Sequence, residues 1–385
     1  MSTIKVSKVE PVTSGGDCIV AATNIVGNKN LIINGAMQIA QRASSSTSTG
    51  YQTVDRFSLG TGGTNEAVTQ AQHALTSSDT GPWEKGFRSS YHLTNGNQTS
   101  GADAADYVEV LYTVEAQDIA NSGWDYNSTS SDITLSFWVR SSIAQTYHCY
   151  LQSLDGTAQL YAFSYAVSAN TWTKVNKTIP GAANITFNND SGGGLRIGFV
   201  PFYGTNYTAS FTLNAWAAQT GSNMMPDNTS TWYTTNDSTF EFTGVQLEVG
   251  DVPTAYEHRK FSDELWQCQR YFCQSGTYGT VSADNSDGSW GMLFNAAGGH
   301  TRTDEIYFPR EMKSAPTVTV YQENAAGGAS SGQWAWYVGG SWTYISMGAT
   351  QIETRGFVGY NNSYSGGSDG DTYFGHVNWK AESEL

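Results

Sequence analysis

The chain has 385 residues, room for two or three domains at about 150 residues each, and it is acidic, with a formal net charge of −15 and a pI near 4.7. Acidic charge spread along the whole sequence repels phosphate backbones and leaves no basic stripe, so nucleic acid is excluded as a partner. Aromatic residues make up 13% and charged residues only 14%, with 41 Gly against 8 Pro. Aromatics suit pleated, half-buried surfaces, and glycine and asparagine supply the positive φ of tight turns. Runs of Ala, Leu, Glu and Lys, which long helices need, are almost absent. The composition is all-β.

The first residues, MSTIKVSKVEPVTSGG, lack the apolar stretch of a secretory signal, and no segment approaches the roughly 20 apolar residues of a membrane span. Membrane insertion is therefore not expected, and the Asn-x-Ser/Thr triplets at Asn97, Asn127, Asn176, Asn184 and Asn206 read as a by-product of composition. Cys18, Cys149, Cys268 and Cys273 show neither a disulfide framework nor zinc-like spacing.

Residues 1–30 carry two short alternating pieces, Ile4 with Val6 and Ile19 with Ala21, too little to fold alone. Such a segment is either disordered or stabilised by other chains, and the alternation favours anchoring on, or interwinding with, other chains. Residues 31–256 read as short strands separated by polar turns. In Asp132–Arg140, Ile133, Leu135, Phe137 and Val139 share one face. Tyr107–Tyr112 and Leu195, Ile197 and Phe199 repeat the pattern. In Phe240–Val249 the apolar phase shifts at Gly244, so a β-bulge is predicted there, returning Val245, Leu247 and Val249 to the core. Strands at this spacing predict a large antiparallel jelly-roll sandwich.

Residues 257–275 contain a linking helix with Phe261, Leu265, Cys268 and Phe272 on its apolar face and Ser262 as its cap. Residues 276–385 return to strands, at Ile306–Phe308, Thr317–Tyr321, Trp334–Tyr337 and Tyr373–Trp379, and predict a smaller C-terminal β-sandwich.

The stretch Asn30-Leu-Ile-Ile-Asn-Gly-Ala-Met-Gln-Ile-Ala-Gln-Arg42 with Tyr51-Gln-Thr-Val-Asp-Arg-Phe57 resembles phage tail-fibre and receptor-binding proteins common in marine viruses. So do Phe242-Thr-Gly-Val-Gln-Leu-Glu-Val-Gly250, Thr254–Arg259 and Glu264-Leu-Trp-Gln-Cys-Gln-Arg-Tyr-Phe272. The resemblance runs from about residue 30 to 275, and the C-terminal part looks like a domain such proteins often carry. It implies a carbohydrate-binding-module-like jelly roll, a homotrimer and a place in the virion, with the N-terminal segment docking on other tail or capsid proteins and a host cell-surface glycan as ligand. It does not separate a tail fibre that mediates host attachment from a capsid decoration or head-fibre protein, and it carries no catalytic residues.

Catalysis is not expected. Glycosidases need two placed carboxyls, and the local pairs Glu241 with Glu248 and Asp103 with Asp106 read equally as strand and loop acids. A polysaccharide depolymerase on a fibre would also call for a solenoid repeat that is not seen. The six histidines are scattered along the chain. For glycan binding, Trp334, Trp336, Tyr337, Trp342 and Tyr344 form a cluster about a Gly339-Gly340 turn, where rings could stack on sugar faces. The competing role for these rings is core or subunit packing. Trp232 and Tyr233 form a second candidate set. No cofactor is expected; a structural calcium ion would suit the loop acids at Asn189-Asp190 and Ser368–Asp371.

Overall fold

The computed structural model describes residues 29–276, 278, 289–296, 300–321, 332–338, 341–361 and 372–385. Almost all of the segment expected to anchor the chain therefore lies outside the described residues, as does the Ser368–Asp371 loop. No helix among the described residues is long and apolar enough to cross a membrane.

The period-two patterns become two six-stranded sheets. One orders β1 (Ser45–Ser46), β3 (Thr69–Ala74), β4 (Ser89–Thr94), β12 (Thr239–Val249), β6 (Asp132–Ser141) and β9 (Thr173–Pro180). The other orders β11 (Trp216–Ala218), β8 (Gln159–Val167), β7 (Gln145–Ser153), β10 (Gly193–Tyr203), β5 (Tyr107–Glu115) and β2 (Ser58–Gly62). All of these strand pairings are antiparallel. The sheets face each other across aromatic contacts. Phe199 of β10 stacks on Phe242 of β12 with ring centroids 4.4 Å apart, and Phe137 of β6 meets Phe199 edge-on at 5.1 Å. Side chains from both sheets form one buried core, in which each such ring contributes about 1.5–3 kcal/mol.

Ile133, Leu135, Phe137 and Val139 are fully buried, as their alternation requires. Thr134 and Ser136, on the opposite face of β6, are buried too. The chain after Lys29 and the chain after β12 cover that face. Leu31 N–H donates to Leu247 O, Val245 N–H to Gly35 O, and the Thr134 hydroxyl to Gly250 O. Gly35 must be glycine, since a Cβ there would lie 2.1 Å from the Val245 carbonyl oxygen.

The bulge forms where the phase shift placed it. Pairing between β12 and β6 slips between Thr243 and Gln246, and Gly244 adopts φ 64°. Val245 and Leu247 return to the core, but Val249 is 41% exposed because it lies at the end of the strand, on the rim of a cleft.

The linking helix is α3 (Phe261–Cys268). Its buried face differs from the expected one: Glu264 and Cys268 are buried, Phe261 is exposed and Phe272 opens a strand. Glu264 accepts a hydrogen bond from Asn34 N–H and lies 3.5 Å from Arg259, so it is polar pairing that turns this face inward. Ser262 hydrogen-bonds Asp263 and does not cap; Lys260 occupies the N-cap position.

Beyond the helix the strands are β13 (Phe272–Gln274), β14 (Ser289–Ala296), β15 (His300–Tyr307), β16 (Thr317–Tyr321), β17 (Gln333–Val338), β18 (Ser341–Ser346), β19 (Gly348–Thr350), β20 (Gly356–Asn361) and β21 (Thr372–Glu382). In place of two independent sheets they form one nine-stranded antiparallel network. The first part of β21 pairs with β14 and β17, and its last part pairs with β13 and β16. A second core gathers under it around Trp334, Phe357 and Trp379.

The last strand returns the C-terminus to the sandwich. Glu384 pairs with Arg42 at 3.1 Å and with Arg56 at 2.5 Å, and Tyr51 donates to Leu385 O. Beside this contact, Glu115 at the end of β5 accepts two bonds from Arg270, at 2.7 and 2.9 Å, and one from the Tyr271 hydroxyl at 2.5 Å. Burial pushes the Glu115 carboxyl up, but these donors outweigh it and the net shift is below the ordinary 4.5. A carboxyl held low in the folded state stabilises fully above 4.5, and that stability is lost as pH falls through the depressed value. Glu115→Gln should cost about 1.5–3 kcal/mol at neutral pH and flatten the acid limb of the stability profile. Urea titrations of both proteins across the acid range measure this, and parallel acid limbs would contradict it.

Candidate functional site

Where the sandwich, α3 and the C-terminal strands meet, they leave an open cleft of about 1020 Å³, at the upper end of the roughly 300–1,000 Å³ typical of ligand sites. One wall is the entering chain at Lys29–Ile33 together with Val249. A second is α1 (Ala116–Ala120) with Asn121 and Ser122. The third is α3, which contributes Asp263, Trp266 and Gln267, followed by Arg270, Tyr271 and, from the loop after β15, Arg310.

Trp266 is the aromatic surface of this cleft. It lies on the side of α3 turned away from Glu264 and Cys268 and is 51% exposed. Arg310 holds it in place, donating to the Trp266 carbonyl at 2.8 Å with its guanidinium 5.6 Å from the ring centroid. Arg259 is committed to structure, bonding the carbonyls of Asn30 and Ile32 and pairing with Glu257. Burial pushes the Asp118 carboxyl up, and the nearby Glu115 charge adds to the shift. A half-exposed indole among carboxylates, amides and guanidinium groups can stack on an apolar ring face while hydrogen-bonding the hydroxyls around it.

The hairpin singled out in the sequence forms, and the side chains of two of its rings, Trp334 and Tyr344, are described. β17 pairs with β18 from Gln333↔Ser346 to Val338↔Ser341. Trp334 is fully buried in the C-terminal core, its ring lying against Gly359, where a Cβ would come within 2.6 Å. Its face is thus closed to a ligand. Tyr344 is 45% exposed. The side chains of Trp336, Tyr337 and Trp342 lie outside the described residues. Trp232 and Tyr233 are core residues, with Tyr233 stacked on Phe202 at 4.6 Å.

Glu248 and Asp106, two of the four local acids, are engaged within the fold. Glu248 accepts bonds from Gln246 and Thr254, and Asp106 accepts one from Asp103 N–H. Asp190 caps Gly192 N–H, and Asn189 accepts a bond from Asn121.

Sequence reasoning passed over Trp266 by treating its motif as scaffold. A signal was present, since a tryptophan off the apolar stripe of a short amphipathic helix must face outward. The approach of His73 to His92, whose rings lie 5.0 Å apart, left no sequence signal, because only the register of β3 on β4 brings them together.

No protein-family model matches the chain, and no curated protein sequence matches it. Among solved structures it is similar to the enzymatically active domain of tailspike protein 4 of bacteriophage CBA120, with TM-score 0.31 and 13% identity over 58% of this chain; it spans 22% of that one. It is also similar to the N-terminal cellulose-binding domain of Cellulomonas fimi β-1,4-glucanase C, with TM-score 0.27 and 11% identity over 55% of this chain and 97% of that one. A family 30 carbohydrate-binding module gives TM-score 0.25 and 11% identity over 57% of this chain and 89% of that one.

The two tryptophans should separate cleanly in stability. Trp334→Ala should cost about 3–5 kcal/mol, whereas Trp266→Ala should stay within about 0.5 kcal/mol. Chemical denaturation decides, and equal losses would contradict the placement of Trp266 on the surface.

Proposed function

We propose that this chain is a bacteriophage virion protein of the tail-fibre or receptor-binding kind that holds a host cell-surface glycan in the cleft beside α3. The observation that carries the reading is Trp266, a half-exposed indole fixed by Arg310 in an open cleft lined by Asp118, Asn121, Asp263 and Gln267. The motif resemblance from residue 30 to 275 supplies the virion context. Assembly as a homotrimer belongs to the same reading, with residues 1–28 docking on other virion proteins.

A second reading, cleavage of the bound polysaccharide, has one observation in its favour. Asp118 and Asp263 both line the cleft, and a glycosidase needs two carboxyls flanking the bond it cleaves.

Binding of the purified chain to host envelope polysaccharides, immobilised as an array, tests the first reading. Trp266→Ala should weaken binding at least tenfold, about 1.4 kcal/mol, with the fold intact, and Tyr344→Ala should leave it unchanged. The reverse pattern would move the site to the C-terminal hairpin, and no binding to any host glycan would remove the reading. Release of reducing ends, abolished by Asp118→Asn, would establish the hydrolase instead.

A further inference from the structure

Three neighbouring strands of the first sheet bring together two imidazoles and a carboxylate on the sandwich's outer face. In the register, His92 of β4 lies directly opposite Glu241 of β12. His73 of β3 pairs with Ser90, which places it diagonally beside His92 on the same face. The rings of His73 and His92 are 5.0 Å apart. Their Nδ1 atoms lie 3.4 and 3.5 Å from the same oxygen, Oε2 of Glu241.

His73 makes only a long hydrogen bond to Oε2, at 3.4 Å against the usual range of about 2.7–3.2 Å. His92 Nδ1 is shielded from solvent and has no hydrogen-bond partner. The spacing does match another geometry. Tetrahedral zinc bonds nitrogen and carboxylate oxygen at about 2.0–2.2 Å, which sets neighbouring ligand atoms about 3.4 Å apart. All three donor atoms fall within 4.8 Å of one another.

The rest of the face prepares that arrangement. Glu241 is 2% exposed, and its other oxygen, Oε1, is taken by Arg140 at 2.5 Å. Arg140 is itself paired with Asp79 at 2.7 Å, so its charge is met on the far side. Ser90 donates to Oε2 at 2.9 Å and orients it. Locally, Glu241, Asp79 and Arg140 sum to one negative charge beside two imidazoles, a surrounding that favours a divalent cation. His73 is 47% exposed on its side chain, so the fourth coordination position opens to solvent.

We propose that His73, His92 and Glu241 form a binding site for a zinc-class divalent cation on the outer face of the first sheet, with water or a ligand oxygen completing the tetrahedron. The ion would tie β3, which has only the two-residue β1 beyond it, to the central strand β12. The site is separate from the cleft, shares no residue with it and does not depend on the glycan reading.

The test is zinc binding to the tag-free full chain at neutral pH by equilibrium dialysis, with cobalt as a spectroscopic stand-in. One zinc per chain is expected, with a rise in melting temperature and visible tetrahedral cobalt absorption. His73→Ala, at an exposed position that leaves the fold intact by circular dichroism, should weaken binding by at least the roughly 10–100-fold that loss of an outer-shell partner costs. It should also abolish both the thermal shift and the cobalt band, and Glu241→Gln should do the same. Absence of zinc binding by the wild-type chain, or equal affinity in wild type and His73→Ala, would overturn the site.

Discussion

A guanidinium that cannot reach water must be met by charge, by carbonyls and by ring faces, and Arg56 is such a group. It is fully buried, at positive φ 74°, with its plane 3.4 Å from the centroid of Tyr271 and 5.3 Å from that of Tyr112. It donates to Thr113 O at 2.7 Å, and its charge is answered by Glu384. Leaving such a charge unpaired costs about 3–5 kcal/mol. The stable arrangement therefore requires β5, the residues after α3 and the last residues of the chain to meet at one point. Arg42 repeats the constraint, lying 3.7 Å from the Phe272 ring centroid and pairing with Glu382 and Glu384. Contacts between positions more than 300 residues apart thus fix how the C-terminal strands sit on the sandwich.

This constraint explains what the recognisable motifs do. Asn30 bonds the backbone of Ile32, Val245 and Leu247, and Asn34 bonds Ile39 and Asp55. Gln41 reaches Asp55 and Phe272. Asp55, fully buried, is pushed up to about 6 by burial, against the lowering by Arg42 and Gln41. These side chains are buried and turned inward. A motif built from buried asparagines, arginines and acids reports a frame, and a frame is compatible with many ligands.

Much of that frame was legible because period-two alternation is a local signal. Ile133 to Val139 and the slip at Gly244 could be read directly, since each depends on near neighbours and one facing layer. The helix face could not be read so well. Glu264 turns inward because Asn34, remote in sequence, and the nearby Arg259 await it there, and apolar periodicity carries no record of polar partners. Within the aromatic cluster, the burial of Trp334 was hidden for a related reason. Composition finds tryptophans, but only the tertiary core that Trp334 shares with Phe357 and Trp379 makes its ring a core ring.

The chemistry-bearing groups sit where the frame ends. Trp266 occupies the outer side of a helix whose inner side is locked by Glu264, and Arg310 fixes the Trp266 carbonyl from the neighbouring strand system. The cleft walls thus come from three elements held together by the buried arginines. A ligand entering it meets side chains already in position, so little ordering entropy opposes binding. The same physics operates on the outer face of the first sheet, where hydrogen-bonded strands fix His92 and Glu241 before any ion arrives. In both places a partly open side chain is held still by bonds made elsewhere, which is the property that the proposed glycan and cation sites would use.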